Sequence, residues 1–172
     1  MKIKDILFEY IKAYHGASEH GARRIGHAGT NSNVFGSYGT TRYGIFLSSN
    51  PKFAAVYGEV LPYAIGLPQS KIPDLSKTDI VNQFYDWAWD HDLRHVIFFF
   101  SHQYRNFWEL FEEEIGKAFY EFAKEKGIKA VKFQEHQTDN NDKEVVGVTY
   151  VVFDVSVLKR DPDPNQLDLF LK

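Results

Sequence analysis

Thr149-Tyr150-Val151-Val152-Phe153-Asp154 is a β-branched and aromatic run inside a longer stretch, Gly147 to Val155, that reads as a strand. Before it, across a polar loop rich in Asp and Asn, Lys129 to Gln134 reads as a second strand. Further upstream, Asn106 opens an apolar periodicity carried by Phe107, Leu110, Phe111, Ile115, Ala118, Phe119, Phe122 and Ala123, with Gly127 as its stop. That pattern predicts one long helix. Ile80, Val81, Phe84, Tyr85, Ala88 and Trp89 predict another, capped by Ser76 or Thr78. Between the two, Val96-Ile97-Phe98-Phe99-Phe100 has the length of a core strand or helix segment.

The N-terminal half is less regular. Ile3, Ile6, Leu7 and Tyr10 fall at helical spacing, while Tyr10 to His15 reads equally as a short strand, so a brief helix feeding a strand is expected. Residues 16 to 43 carry six glycines among Ser, Thr and Asn without sustained periodicity, which predicts a long loop that wraps a ligand or is disordered. Tyr43 to Ser48 reads as a strand. Asn50-Pro51 then starts a helix with a capping side chain and a proline in its first turn, and Tyr57 falls near its end. Val60 to Leu67 reads as a strand bent at Pro62, and Pro68 to Lys77 as loop. The order is α+β. From Lys159 onward, Arg160-Asp161-Pro162-Asp163-Pro164-Asn165 suggests an extended tail, dividing the chain into a domain at 1–159 and a tail at 160–172.

The 172 residues, 44% of them hydrophobic, suffice for one core. A formal net charge of -3 gives no general basic field to attract nucleic acid, although a local patch would not show in that sum. Cysteine is absent, which removes disulfides, cysteine-based zinc sites and thiol nucleophiles, and fits a reducing compartment. No window approaches the roughly 18 apolar residues of a membrane span. The expectation is a soluble, cytoplasmic protein without membrane partners or metal. His91 and His95, four apart, would share a helix face and could ligate zinc, but without a third ligand at fixed spacing they read better as surface histidines.

Three segments, Tyr14-His15-Gly16, Gly44-Ile45-Phe46-Leu47 followed by Tyr57, and Thr149 to Asp154, together resemble the ADP-ribosyltransferase fold. The resemblance implies a split β-sheet core with peripheral helices and NAD as substrate. It implies that His15 holds a ribose hydroxyl and that Gly16 lets its backbone approach the nicotinamide carboxamide. Phe46 and Tyr57, eleven residues apart, would sandwich the nicotinamide ring. Many members place tyrosine where Phe46 stands; the stacking surface survives without the hydroxyl. Ala54 falls where polymerase-like members tend to have serine.

Thr149 occupies the position at which well-known members carry a catalytic glutamate. A threonine can hydrogen-bond a ribose but cannot stabilise developing positive charge at the anomeric carbon, so either activity is lost or another acid substitutes. Glu135 and Glu144 are the candidates. Phage and mobile-element relatives often carry serine at the matching place. Arg23, Arg24 and Arg42 flank the glycine-rich segment and could meet the pyrophosphate of NAD, with Arg23 read rather as a solvated charge.

The tail holds Gln166-Leu167-Asp168-Leu169-Phe170, which resembles the peptide by which bacterial DNA-replication proteins dock on the sliding clamp. In that mode the Gln166 amide meets backbone at a pocket rim while Leu167, Leu169 and Phe170 serve the apolar contact. The alternative is that these residues pack back on the domain. Three functions follow: an NAD-dependent ADP-ribosyltransferase acting on a protein or nucleic acid and recruited to the clamp, as a phage protein or toxin would be; a non-catalytic protein of the same fold that blocks the clamp; or an NAD glycohydrolase.

Overall fold

The structure, a computed structural model, describes residues 10–17, 34–37, 40–103, 106–138 and 141–160. The expected N-terminal helix at Ile3 to Tyr10, the arginines at 23 and 24 and the Gln166 to Phe170 peptide lie outside the described residues, apart from Tyr10 itself.

Among the described residues eight strands form two sheets: β1 (Ile11–Ala17), β2 (Val34–Ser37), β3 (Thr40–Tyr43), β4 (Ile45–Ser48), β5 (Glu59–Ile65), β6 (Ala130–Thr138), β7 (Glu144–Val152) and β8 (Leu158–Arg160). Six make an antiparallel sheet in the order β6-β7-β4-β1-β5-β8, and β2 and β3 form a hairpin. The helices are α1 (Pro51–Ala55), α2 (Ile80–Asp90), α3 (Arg94–Gln103) and α4 (Glu113–Glu125). The fold is therefore a mixed α/β arrangement, an antiparallel sheet with peripheral helices. Among the described residues no helix is long and apolar enough to cross a membrane.

The sheet separates two cores, as strand alternation requires. On one face Val131, Phe133 and Val151 meet Phe84, Phe119 and Phe122 of the helices. On the other, Ile11, Ala13, Leu47 and Tyr150 meet Ile72 and Val157 from the connecting segments. Phe119 is fully buried and has ring neighbours in Phe84, Phe111, Phe122 and Phe153, at centroid distances of 5.0 to 6.0 Å.

Several boundaries differ from the sequence reading. The glycine-rich stretch was expected as loop to residue 43, yet 34–43 contains the β2–β3 hairpin, because Thr40, Thr41 and Tyr43 favour extended backbone. Strand Tyr43 to Ser48 is cut at Gly44, whose φ of +108° lets the chain leave the hairpin and enter the main sheet. The long helix expected from Asn106 is two elements, a 3-10 turn at Phe107–Phe111 and then α4. Between them Glu112 is extended and Glu113 has a φ of 49°. Neither Ser76 nor Thr78 caps α2: both hydroxyls bond Asp74 instead, and the cap position falls to Asp79. Lys159 and Arg160 pair with β5 before the tail begins. Asn50 does cap α1, its side chain accepting from the Lys52 amide at 3.0 Å, with Pro51 in the first turn.

Phe119→Ala removes the centre of the aromatic cluster, and urea unfolding is expected to show a loss of about 3–5 kcal/mol. A loss below about 1 kcal/mol would mean that this face of the sheet is not the main core.

Candidate functional site

The site begins where two neighbouring strands part. β1 pairs with β5 along Ile11 to Ala17, but with β4 it shares a single register pair, Tyr14↔Ser48. Beyond that pair His15 and Gly16 diverge from Leu47 and Phe46. The His15 ring turns into the gap, where Nδ1 stands 2.7 Å from the Phe46 carbonyl oxygen. That oxygen can only accept, so Nδ1 carries the hydrogen and Nε2 is left as an acceptor. Burial lowers the His15 pKa, and the Phe46 carbonyl offsets part of that effect. The imidazole is therefore neutral at neutral pH.

Gly16 is needed for packing. A Cβ there would stand 1.7 Å from the Ala54 carbonyl oxygen and 3.1 Å from Tyr57 Cβ. The resemblance implies that the Gly16 backbone approaches a carboxamide with no side chain intervening; in the fold the space that a side chain would take is filled by the end of α1, which brings Tyr57 over β1. Ala54 is buried beneath it.

Strand alternation puts Phe46 and Ser48 of β4, Gly147, Thr149 and Val151 of β7, and Phe133, Glu135 and Gln137 of β6 on one face. Thr149 and Ser48 are buried polar residues on this face. The Thr149 hydroxyl donates to Glu135 Oε2. Gln137, two residues further along β6, donates from Nε2 to the Tyr57 hydroxyl at 2.5 Å.

Burial raises the Glu135 pKa, while the Thr149 hydroxyl and the positive charge of Arg42 pull it back. Burial, and then the charge of Glu135, raise the pKa of Tyr57, against Gln137 and Arg42. Glu135, Tyr57 and Arg42 are thus close enough to feel one another's charge.

Arg42 is more tightly held than its position in a loop-like sequence suggested. Its Nε donates to Glu112 Oε1 at 2.8 Å, and its guanidinium lies 5.3 Å from the Phe46 ring centroid and 5.7 Å from that of Trp108. Phe46 also meets Phe111 edge-on at 5.7 Å, and Tyr57 has its own neighbour in Phe53 at 6.0 Å. The two expected slot aromatics therefore have separate partners, and a ring set against Phe46 would share it with Arg42.

Of the two candidate acids, Glu135 lies beside Thr149. Glu144 is exposed and belongs by register to the opposite face, 2.6 Å from His136 Nδ1. His91 and His95 sit on different helical segments, His91 ending α2 and His95 within α3, and no metal-holding group of three or more His, Cys, Asp or Glu occurs among the described residues. The sequence reading missed Gln137, Glu112 and Trp108. Gln137 carried a signal in its two-residue spacing from Glu135 once β6 is extended past Gln134. Glu112 carried none, since its partner lies 70 residues away.

No family model matches the chain, and no curated protein or solved structure matches it.

The raised pKa of Glu135 fixes a stability prediction. An acid whose folded pKa exceeds its ordinary value, 4.5, favours folding below that value and loses the contribution as pH rises through the folded pKa. Glu135→Gln keeps an acceptor for Thr149 but never ionises. It should melt above the parent at neutral pH, with the gap closing as the pH falls below the ordinary glutamate range; thermal melts across pH check this. A variant that melts lower at neutral pH would mean that Arg42 outweighs burial.

Proposed function

We propose that this chain is an NAD-dependent ADP-ribosyltransferase acting on a macromolecule. The observation that carries the proposal is the Glu135–Thr149 pair, set on the sheet face shared with Ser48 and Phe46, beside the point where β1 leaves β4. Thr149 occupies the position of the family glutamate, and the neighbouring strand supplies a carboxylate hydrogen-bonded to it.

The residues fit the substrate in kind. His15 offers an acceptor at Nε2 for a ribose hydroxyl, Tyr57 a half-exposed ring, and Arg42 a cation for phosphate or for a ring set against Phe46. NAD supplies the ADP-ribosyl group, and nicotinamide leaves as the C1′–N bond breaks. Glu135, ionised, faces the positive charge that develops at the anomeric carbon and takes the proton of the incoming nucleophile as the new bond to C1′ forms. Thr149 orients the carboxylate. Partial burial strengthens the electrostatic effect by limiting solvent screening.

His15→Ala and Tyr57→Ala should each weaken NAD binding about tenfold, the scale of a lost hydrogen bond or ring contact. Glu135→Gln should leave binding intact and lower turnover about 10²–10³-fold. Calorimetry with NAD, and release of labelled nicotinamide, separate the two effects. Turnover of the parent should fall on the acid side at a pH above the ordinary glutamate range, because burial raises the Glu135 pKa. Full turnover in Glu135→Gln sinks the assignment.

The Gln166 to Phe170 peptide supports a second element of the proposal, delivery of the chain to the bacterial sliding clamp, since all five positions fit that docking motif. Titration of purified clamp should show binding by the full chain and at least a tenfold loss on Phe170→Ala, about the contribution of one anchoring aromatic. Equal binding by both removes the clamp from the proposal.

A further inference from the structure

β6 is an edge strand of the six-stranded sheet, and it carries Glu135. Its outer edge is occupied at the start. Lys132 donates its amide to the Pro73 carbonyl and accepts from the Leu75 amide, both at 2.9 Å, and Asp74 pairs with Lys132 in parallel sense. The segment then turns away, as the Asp74 side chain bonds the Ser76 amide and hydroxyl.

Because Lys132 points its backbone groups outward, the two-residue repeat points those of Gln134 and His136 outward too, while Glu135 faces β7 at Gly147. Among the described residues no backbone partner meets Gln134 or His136 on that side, and both are exposed. The open edge from Phe133 to Thr138 runs for about 20 Å at ~3.3 Å per residue. The Thr149 hydroxyl, the Glu135 carboxylate and Gln137 lie alongside it.

We infer that the macromolecule modified is a protein, presented as an extended segment that adds to this open edge of β6 as a further strand. The inference rests on the transfer reading above and names its acceptor class. An added strand gains main-chain hydrogen bonds to Gln134 and His136 whatever its sequence, and its alternate side chains point to the face that holds Glu135. One of these, bearing a nucleophilic oxygen or nitrogen, reaches the anomeric carbon of NAD. The C1′–N bond to nicotinamide breaks, the bond from C1′ to that atom forms, and its proton passes to Glu135. Charge argues in the same direction: the chain is net negative, and Glu135 is carried by the edge strand itself, an unfavourable approach for phosphates.

Proline at position 134 or 136 removes one outward N–H while the β7-facing groups of the odd-numbered residues stay paired, a substitution that edge strands tolerate. The test pans the full chain, without NAD, against displayed random peptides of about twelve residues. Gln134→Pro and His136→Pro are assayed separately, with thermal melts as a check, so that one folded variant suffices. The expected result is enrichment of peptides rich in β-branched residues whose affinity falls about tenfold or more on either variant. No enrichment, enriched peptides that bind both variants like the parent, or single-stranded DNA binding where no peptide binds, each overturns the inference. Because the assay needs no NAD cleavage, a failed transferase reading and a failed edge are told apart.

Discussion

The parting of β1 from β4 is the constraint on which the rest of the arrangement depends. Inside a sheet a strand's carbonyls are normally met by the neighbour's amides, and a buried carbonyl left unpaired costs about 1–3 kcal/mol. Here the Phe46 carbonyl is met by the His15 imidazole, a side chain taking the place of a ladder bond. The substitution keeps the gap open without an orphan acceptor. It also fixes the tautomer: Nδ1–H must donate, and burial keeps the ring from taking a second proton. A polar, neutral acceptor is therefore held at the split by the bond that makes the split affordable.

Around the gap the packing is directional. α1 is pressed so close to β1 that only glycine fits at position 16, and this contact carries Tyr57 over the strand. On the other side Gly44 turns the chain out of the hairpin, so that Arg42 ends between Phe46 and Trp108 with Glu112 on its Nε. Two short elements, α1 and the hairpin, are thus pinned by specific contacts to the strands that flank the gap. The aromatic helical layer behind them sets the sheet's position and leaves its Glu135 end half-buried.

Much of this was legible in the sequence where local chemistry decides the conformation. Asn50-Pro51 gave α1 its start, the β-branched run gave β7, and the α2 periodicity marked a helix that the fold does bury. The errors fall where distant contacts override local signals. Phe107 to Ala123 keeps one apolar face in the sequence, but the backbone breaks at Glu112 and Glu113, where Glu112 pairs with Arg42. The hairpin at 34–43 was hidden by its glycines. Of the candidate site, His15, Phe46, Tyr57 and Thr149 stand out in the sequence by order and spacing alone. That Glu135 and not Glu144 shares a face with Thr149 is not legible there, because it follows from register.

Register also explains how a carboxylate can stand beside Thr149 without being in its strand. Residues diagonal to each other on one face of an antiparallel pair have Cβ atoms within roughly 7–8 Å, close enough for a glutamate to bridge. Phe133 is directly opposite Thr149, and Glu135 is the next residue of β6 on that face, opposite Gly147. A side chain at 147 would run into Ser48 Oγ, 2.7 Å from the position of its Cβ. Glycine there leaves Glu135 without a direct cross-strand neighbour on its face, so the carboxylate can lean toward the Thr149 hydroxyl. An acid on β6 and a hydroxyl on β7 thus form one unit across the two strands, and the bond between them restricts where the charge can point.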